Sequence, residues 1–271
     1  MQAVKYRWEN WEPFLILNNG GGFERIRLLD SNINLKIGEK FCIGHFSGGK
    51  HVKCPNNAKI DKGYYCNECR LRDDFFLCVQ CDGSVCINQK RREECKEEKY
   101  FVYLAAFDSL IKVGISMEFR IFERLIEQGA DMAAKIGIVK DGKTARSLEQ
   151  EIMKALNIVD RVRGDKKHEL LFGNPNNAAI SLFNSINKLR KSFFVPYMIY
   201  PEIHDFRRHY RLNKIFKLPK KFVVKQGSEI SGTVVAAKGN LIVIENEDYF
   251  TLNAHDLIGR ELEISLQNFI N

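Results

Sequence analysis

Apolar runs alternate with short polar breaks between residues 100 and 156. Two runs separated by Asp108-Ser109 predict a β-hairpin. Beyond the hairpin, two stretches with apolar residues at the helical period flank one further short apolar run. We expect Gly129 to end the first helix and Thr144 to cap the second. The predicted order is therefore strand, strand, helix, strand and helix, over 100–107, 110–115, 118–129, 135–139 and 144–156.

Helical spacing also assigns a buried side to both helices. On the first helix this side carries Phe119, Phe122, Leu125 and Ile126. On the second helix it carries Ala145, Leu148, Ile152, Ala155 and Leu156. At about 100° per residue, Glu149 borders the second stripe and Glu151 faces water.

Both ends of the chain are predicted to form strands. Near the amino terminus, two apolar segments are joined through three consecutive glycines. Near the carboxy terminus, Lys238-Gly239-Asn240 is a good hairpin turn between apolar strands. We expect a small antiparallel β-barrel there. Either the carboxy-terminal strands form this barrel by themselves, or the amino-terminal strands complete it.

These patterns predict an α+β fold in five segments. Residues 1–41 are amino-terminal β strands, and 42–97 are a Cys-rich zinc-binding module. Residues 98–195 are an α/β domain, a three-stranded sheet with helices, which ends before Pro196. Residues 196–225 are a basic aromatic linker, and 226–271 are the small β-barrel.

Composition restricts the compartment and the partners. The 45% hydrophobic and 28% charged residues are typical of a soluble globular protein. No apolar run approaches the ~20 residues that span a bilayer, and the first residues carry no apolar signal core. We therefore expect a cytoplasmic protein with no membrane partner. The net charge of +8 favours a polyanionic partner, although two four-thiolate zinc sites would contribute −4 and lower it to +4.

Eight cysteines lie within one short part of the chain. Cys66 and Cys69 enclose two residues, as do Cys78 and Cys81, and this spacing lets a tight turn direct both sulfurs at one tetrahedral ion. In a cytosolic protein it indicates metal ligation and not disulfides. Eight thiolates make two sets of four with no ligand position left for water, so we predict two structural Zn²⁺ sites.

Chain order divides these ligands between the two sites. The first set is Cys42, Cys54, Cys66 and Cys69, and the second set is Cys78, Cys81, Cys86 and Cys95. An interleaved arrangement stays open, and His45 and His51 are substitute ligands if a cysteine is free. Because the block has little core of its own, we expect it to need metal to fold.

The linker combines positive charge with interleaved aromatic residues. Basic groups bind phosphates, while aromatic faces stack on unpaired bases. The candidate nucleic-acid-binding residues are Arg207, Arg208, Arg211, Lys214, Lys217, Lys220 and Lys221. The alternative is a linker whose aromatic residues pack on a neighbouring domain and whose charges are solvated.

The order of Tyr103, Gly114, Arg124 and Glu149 on these elements resembles the GIY-YIG endonuclease superfamily. The resemblance implies that Tyr103 and Arg124 position the scissile phosphate. It also implies that Glu149 binds one Mg²⁺ or Mn²⁺ ion.

Two residues depart from the catalytic pattern of that superfamily. Lys112 occupies the place of the second motif's tyrosine, and a lysine beside a phosphate holds charge more readily than it removes a proton. Gln128 stands where these nucleases often carry a histidine.

The cysteine series followed by Tyr103-Leu-Ala, Lys112-Val-Gly-Ile-Ser and Gln128-Gly-Ala130 is similar to a narrower group. These are uncharacterised microbial proteins, classed as a domain of unknown function, that couple cysteine clusters to a GIY-YIG-like fold. The similarity spans most of the chain and implies little about activity.

Two functions follow. The first is a zinc-stabilised, non-catalytic protein that binds nucleic acid, with structured RNA such as tRNA or the ribosome as its partner. The alternative is a divalent-metal-dependent endonuclease that cleaves phosphodiester bonds in DNA or RNA, with its catalytic site at Tyr103, Lys112, Arg124 and Glu149. A nucleic-acid-modifying enzyme with a small cofactor is a third class, but no Gly-rich phosphate loop supports it.

Overall fold

The structure, a computed structural model, describes residues 1–267. It contains two compact units. The first unit comprises Met1–Phe76 together with the chain from His209, and the second unit is Leu77–Arg208. The division falls inside the cysteine-rich segment, so that four cysteines lie in each unit.

Strands and helices are numbered in chain order. The strands are β1 (Gln2–Glu9), β2 (Glu12–Asn18), β3 (Phe23–Arg27), β4 (Asn32–Lys40), β5 (His45–Ser47), β6 (Lys50–Val52), β7 (Lys99–Phe107), β8 (Leu110–Met117), β9 (Met132–Lys140), β10 (Met198–Asp205), β11 (Lys220–Lys221), β12 (Glu229–Lys238), β13 (Leu241–Asn246), β14 (Asp248–Asn253) and β15 (Arg260–Gln267). The helices are α1 (Asn67–Arg72), α2 (Phe76–Gln80), α3 (Arg92–Glu97), α4 (Ile121–Gln128), α5 (Gly142–Leu156), α6 (Gly164–Glu169) and α7 (Pro175–Leu189).

A nine-stranded sheet in the order β11-β14-β13-β12-β4-β15-β1-β2-β3 forms most of the first unit. Strand β4 pairs antiparallel with both β12 and β15, and β1 pairs with β15. Along β4, Ile33, Leu35 and Ile37 are buried while Asn34 and Lys36 are exposed, the alternation of a strand with one covered face. The two ends of the chain therefore build one sheet.

The small β-barrel predicted for residues 226–271 is wrong. The hairpin of β12 and β13 forms as the Lys238–Asn240 turn predicts. However, β12 then pairs with β4 and does not close onto β15. The edge strands β11 and β3 stand at opposite ends of the order, so residues 1–267 contain no closed barrel.

The amino-terminal strand is fastened to the β12–β13 turn by two buried side chains. Tyr6 Oη donates to the carbonyl oxygen of Gly239 at 2.6 Å, and Trp8 Nε1 donates to the same oxygen at 2.8 Å. Trp8 is fully buried and meets the Tyr210 ring edge-on at 5.9 Å between ring centroids. One carbonyl thus links residues more than 200 positions apart.

The second unit has a four-stranded antiparallel sheet in the order β10-β9-β7-β8. Helices α5 and α7 cover one face, where Val102, Leu104, Leu148, Ile152 and Leu182 share a buried cluster. The predicted order of strands and helices is present, and β10, which sequence assigns to the linker, adds a fourth strand. No helix of the described chain combines the length and hydropathy needed to cross a bilayer.

Two local predictions for this unit are wrong. Helix α4 begins at Ile121, so Phe119 is exposed and Phe122 is partly exposed instead of packing in the core. Helix α5 begins at Gly142 and is capped by Asp141, whose carboxylate accepts from the Lys143 amide at 3.1 Å. Thr144 instead donates its hydroxyl to that carboxylate at 3.1 Å.

Replacement of Tyr6 by Phe tests the link between the ends of the first unit. The Gly239 carbonyl keeps its bond from Trp8, so we expect the loss of one bond and a free energy of unfolding lower by about 1 kcal/mol. Urea unfolding followed by the fluorescence of Trp8 and Trp11, both in this unit, measures it. Equal free energies of unfolding for Tyr6→Phe and the parent would contradict the role given to this bond.

Candidate functional sites

The first cysteine set forms a compact group in the first unit. The four sulfurs of Cys42, Cys54, Cys66 and Cys69 lie within 4.8 Å of one another. With Zn–S bonds of ~2.3 Å, a tetrahedral site has sulfurs roughly 3.8 Å apart. Cys54 Sγ and Cys66 Sγ are 3.9 Å apart. The donor set and its spacing therefore fit a tetrahedral zinc ion, and we call these four residues the zinc tetrad.

Local structure brings the zinc tetrad together. Cys42 follows β4, and Cys54 follows the β5–β6 hairpin. Cys66 is the N-cap of α1, which places Cys69 in its first turn. The group is largely buried, with Ala58, Ile60 and Tyr65 packed against it. This small apolar shell contributes little stability by itself, as expected for a module that needs metal to fold.

Backbone amides point at the sulfurs of the tetrad. The amides of Cys66 and Gly44 donate to Cys42 Sγ at 3.1 Å and 3.4 Å. Such bonds stabilise a thiolate and orient it as a ligand. Burial nevertheless raises the pKa of the Cys42 thiol, so a cation is the natural partner for a buried thiolate here. Neither His45 nor His51 joins the group.

The second cysteine set is arranged differently. Within the described chain, Cys78, Cys81, Cys86 and Cys95 do not form a comparably tight group. Asn88 connects two of them, because its Nδ2 donates to Cys78 Sγ at 3.1 Å and its carbonyl accepts from Cys86 Sγ at 3.5 Å. Cys95 Sγ lies 3.8 Å from Tyr100 Oη. A second zinc site stays a prediction.

Tyr103 is fully enclosed in the second unit. It is 1% exposed on the central strand β7, and its ring lies against Gly114 of β8, where a Cβ atom would overlap it. Its hydroxyl is hydrogen-bonded to Nε2 of Gln128 on α4. The two positions that sequence singles out separately, Tyr103 and Gln128, thus form one buried polar pair.

Lys112 fastens the chain that follows α5 to the edge strand β8. The residue is 8% exposed, and its Nζ donates to the carbonyl oxygens of Asp160 and, at 3.2 Å, of Val113. The Val113 amide also donates to the Val159 carbonyl at 3.0 Å. The ammonium group is therefore occupied by backbone oxygens.

Glu149 is buried on α5, as its place beside the apolar stripe predicts, and Glu151 is exposed. The Glu149 carboxylate forms an ion pair with Arg146 one turn earlier. Burial raises its pKa, while the charges of Arg146 and Lys112 act in the opposite direction. Arg146 is a polar partner that sequence reasoning missed, although the spacing of three residues on a helix indicates it.

Arg124 lies apart from these groups. It is exposed on α4, one turn before Gln128, and it forms no ion pair among residues 1–267. No contact in the described chain joins Tyr103, Arg124 and Glu149. The structure instead has two separate polar groups, one around Tyr103 and Gln128 and one around Lys112 and Glu149.

Most cations of the predicted nucleic-acid-binding segment are paired with carboxylates of the protein. Arg207 binds Asp205, and the charges of Arg207 and Arg208 both lower the Asp205 pKa. Further along, the remaining pairs are Arg211 with Glu12 and Asp30, Lys214 with Asp30, and Lys217 and Lys220 with Asp248.

The aromatic residues of this segment differ in exposure. Phe206 and Tyr210 are buried in the protein, Tyr197 and Phe222 are partly exposed, and Tyr200 and Phe216 are 90% and 87% exposed. Packing therefore accounts for some of the pattern that suggested base stacking, and the other rings are at least partly accessible.

A family model described as a protein of unknown function (DUF2797) matches residues 31–262. This match covers most of the chain and includes all eight cysteines. No curated protein and no solved structure shows significant similarity to the chain.

Zinc analysis of the purified protein tests the tetrad. We expect at least one zinc per chain by inductively coupled plasma mass spectrometry. Cys69→Ala should lose one equivalent and unfold the first unit at lower temperature, because the free energy of metal binding is part of the free energy of folding. Cys86→Ala is the matched control: it keeps this equivalent, and loss of another would identify a second site. Unchanged zinc in Cys69→Ala would contradict the assignment.

The raised pKa of Glu149 gives the second unit a defined pH dependence. In the unfolded chain the Glu149 carboxyl has its ordinary pKa of 4.5, whereas in the folded protein it keeps its proton to a higher pH. The free energy of unfolding therefore falls as the pH rises from 4.5 towards the folded pKa. Glu149→Gln removes this contribution, and its stability relative to the parent should improve from pH 4 to pH 7. Hydrogen exchange of α5 amides, corrected for intrinsic rates, measures the difference. Glu151→Gln, exposed on the same helix, is the control, and parallel pH profiles of Glu149→Gln and the parent would refute this role of burial.

Proposed function

This chain belongs to the DUF2797 family, and we propose that it is a zinc-stabilised, non-catalytic nucleic-acid-binding protein. The observation that carries the proposal is the location of positive charge that has no acidic partner among the described residues. A phosphate backbone is the polyanion that such charge recognises through release of its counterions.

Exposed cations without an ion pair in the described structure occur in several parts of the second unit, Arg124 among them, and two groups of them lie close together in sequence. Arg161 and Arg163 follow α5, and both are exposed without an ion pair in the described structure. At the end of α7, the exposed side chains without an ion pair are Lys188, Arg190 and Lys191. These sites support phosphate binding more directly than the predicted linker, most of whose cations already have carboxylate partners.

The zinc module of the first unit presents cations of the same kind. Lys50 and Lys53 are exposed on and beside β6, and neither forms an ion pair within residues 1–267. Because the zinc tetrad holds both ends of this hairpin, metal would fix the position of these side chains.

The state of the predicted catalytic residues favours binding over cleavage. Tyr103 is enclosed with Gln128, and Glu149 is occupied by Arg146. A phosphodiesterase needs groups free to meet the scissile phosphate and its metal. Structured RNA such as tRNA or the ribosome is the target we propose, because the unpaired cations lie on short segments and not along one helix that could enter a DNA major groove.

A metal-dependent endonuclease is the second candidate, and two features of the second unit support it. Its strands and helices follow the order expected for a GIY-YIG-like domain, and the charge of Lys112 acts on Glu149. In this candidate, Glu149 would hold Mg²⁺ or Mn²⁺ after release from Arg146, and Arg124 would contact the phosphate.

Binding of labelled tRNA at several salt concentrations tests the first candidate. We expect affinity to fall steeply with salt. Arg161→Gln/Arg163→Gln should weaken binding about tenfold and reduce the slope of log K against log salt by about one for each lost phosphate contact. Lys96→Gln/Lys140→Gln removes the same charge from two exposed lysines that are paired with Glu93 and Glu97, and it should bind like the parent.

Three outcomes distinguish the candidates. Binding that ignores salt, or equal losses in both double variants, would contradict the proposal. Cleavage in Mg²⁺ that Glu149→Ala abolishes would establish the endonuclease instead. Unchanged binding by Glu149→Ala without any cleavage supports the non-catalytic assignment.

A further inference from the structure

A pocket of about 380 Å³ opens on the first unit where strand β13 parts from β12. The two strands pair as far as Thr233 and Glu245, whereas β12 continues to pair with β4 as far as Glu229. Gly232 lies at the point of separation with φ of 141°, and a Cβ atom there would approach the Asn246 Cβ to 2.9 Å. The volume is within the range of small-ligand sites.

Two phenylalanine rings line this pocket. Phe250 lies on β14, and Phe222 follows β11, which pairs parallel with β14. The Phe222 amide donates to the Thr251 carbonyl at 2.9 Å, which fixes the backbone beside its ring. Both side chains are partly exposed, and neither ring contacts another aromatic ring in the described chain. Ring faces held in this way are suited to stacking on a flat ligand.

Hydrogen-bonding groups line the remainder of the pocket. Asn34 and Ser231 are directly opposed on β4 and β12, and Glu229 lies two residues along β12 on the same face. Asn246 Nδ2 donates to Ser231 Oγ at 3.3 Å. The Glu229 carboxylate forms no ion pair and the Asn34 amide no side-chain hydrogen bond in residues 1–267. These two groups are therefore available to a ligand.

The carboxylate defines the chemistry of that ligand. An ionised carboxylate accepts hydrogen bonds and repels phosphate, so the group beside Glu229 must be a neutral or cationic donor. A flat ring with an amino group on its edge satisfies both Glu229 and the two phenylalanines. Any attached phosphate would stay outside the pocket, away from this carboxylate.

We infer that this pocket binds one unstacked nucleobase with an exocyclic amino group, its ring against Phe222 or Phe250 and its amino group on Glu229. The inference rests on the proposed function, because the bound nucleic acid supplies the base. It extends that function from phosphate contact to recognition of one unpaired nucleotide.

Short labelled oligonucleotides provide the test. Fluorescence anisotropy of oligocytidylate and oligouridylate hexamers compares a base that has the amino group with one that has a carbonyl oxygen in its place. We expect the full-length parent to bind oligocytidylate about tenfold more tightly. Glu229→Gln should remove most of this preference, and Phe250→Ala should weaken both hexamers. Glu24→Gln is the control. It neutralises an exposed carboxylate on β3, at the far end of the sheet order from the pocket, and should keep the preference.

The outcomes separate this inference from the proposed function. Salt-dependent binding of both hexamers with equal affinity, unchanged in Glu229→Gln, would overturn the pocket while leaving nucleic-acid binding intact. Binding of free cytidine, seen by titration calorimetry and lost in Glu229→Gln, without binding of the hexamers or of tRNA would retain the pocket and overturn the proposed function. Failure of the hexamers and of free cytidine would overturn the pocket, and failure of tRNA as well would overturn both. Circular dichroism of each variant confirms that it is folded.

Discussion

The first unit depends on the backbone pairing of strand β4. This strand lies between β12 and β15, so a strand from the first part of the chain pairs on both sides with strands from the last part. It also leads directly into Cys42, and the Phe41 amide donates to the Gly259 carbonyl at 2.8 Å. The zinc tetrad is therefore built on the end of a central strand. A metal ion held by the tetrad would be coupled through Cys42 to the pairing of this strand.

In the second unit, the main constraint is the cost of burying polar groups. Tyr103, Lys112 and Glu149 lie in or beside the core, and each has a partner within the protein: Gln128, backbone carbonyls and Arg146. Leaving any of them without a partner would cost about 1–3 kcal/mol or more. A ligand that recruits these groups must first replace those bonds.

Local pattern predicted much of this architecture, and contacts between distant residues set the remainder. Chain order grouped the four cysteines that the fold brings together, although it left an interleaved arrangement open, and helical periodicity placed Glu149 at a buried surface. The prediction of a barrel was wrong because turn signals specify only which neighbouring strands pair, whereas β4 comes from the other end of the chain. The predicted burial of Phe119 was wrong because a helical pattern does not show where a helix begins, and a 3₁₀ turn precedes α4.

The charge of a segment is likewise not set by its own sequence alone, because residues distant in the chain pair with it. This matters for the proposed function. The predicted linker is strongly basic in sequence, yet Asp30 and Asp248 from elsewhere in the fold pair with several of its cations, as does Asp205 within it, and its lysines hold the Asp248 pKa far below the ordinary value. Arg161 and Arg163, inconspicuous in sequence, keep their charge unpaired. Binding energy for a polyanion comes from charges that exchange water and counterions for phosphate, and a cation already paired must first lose its carboxylate. In the proposed function, the surface that meets nucleic acid is therefore determined by unpaired charge, and a count of basic residues along the chain does not locate it.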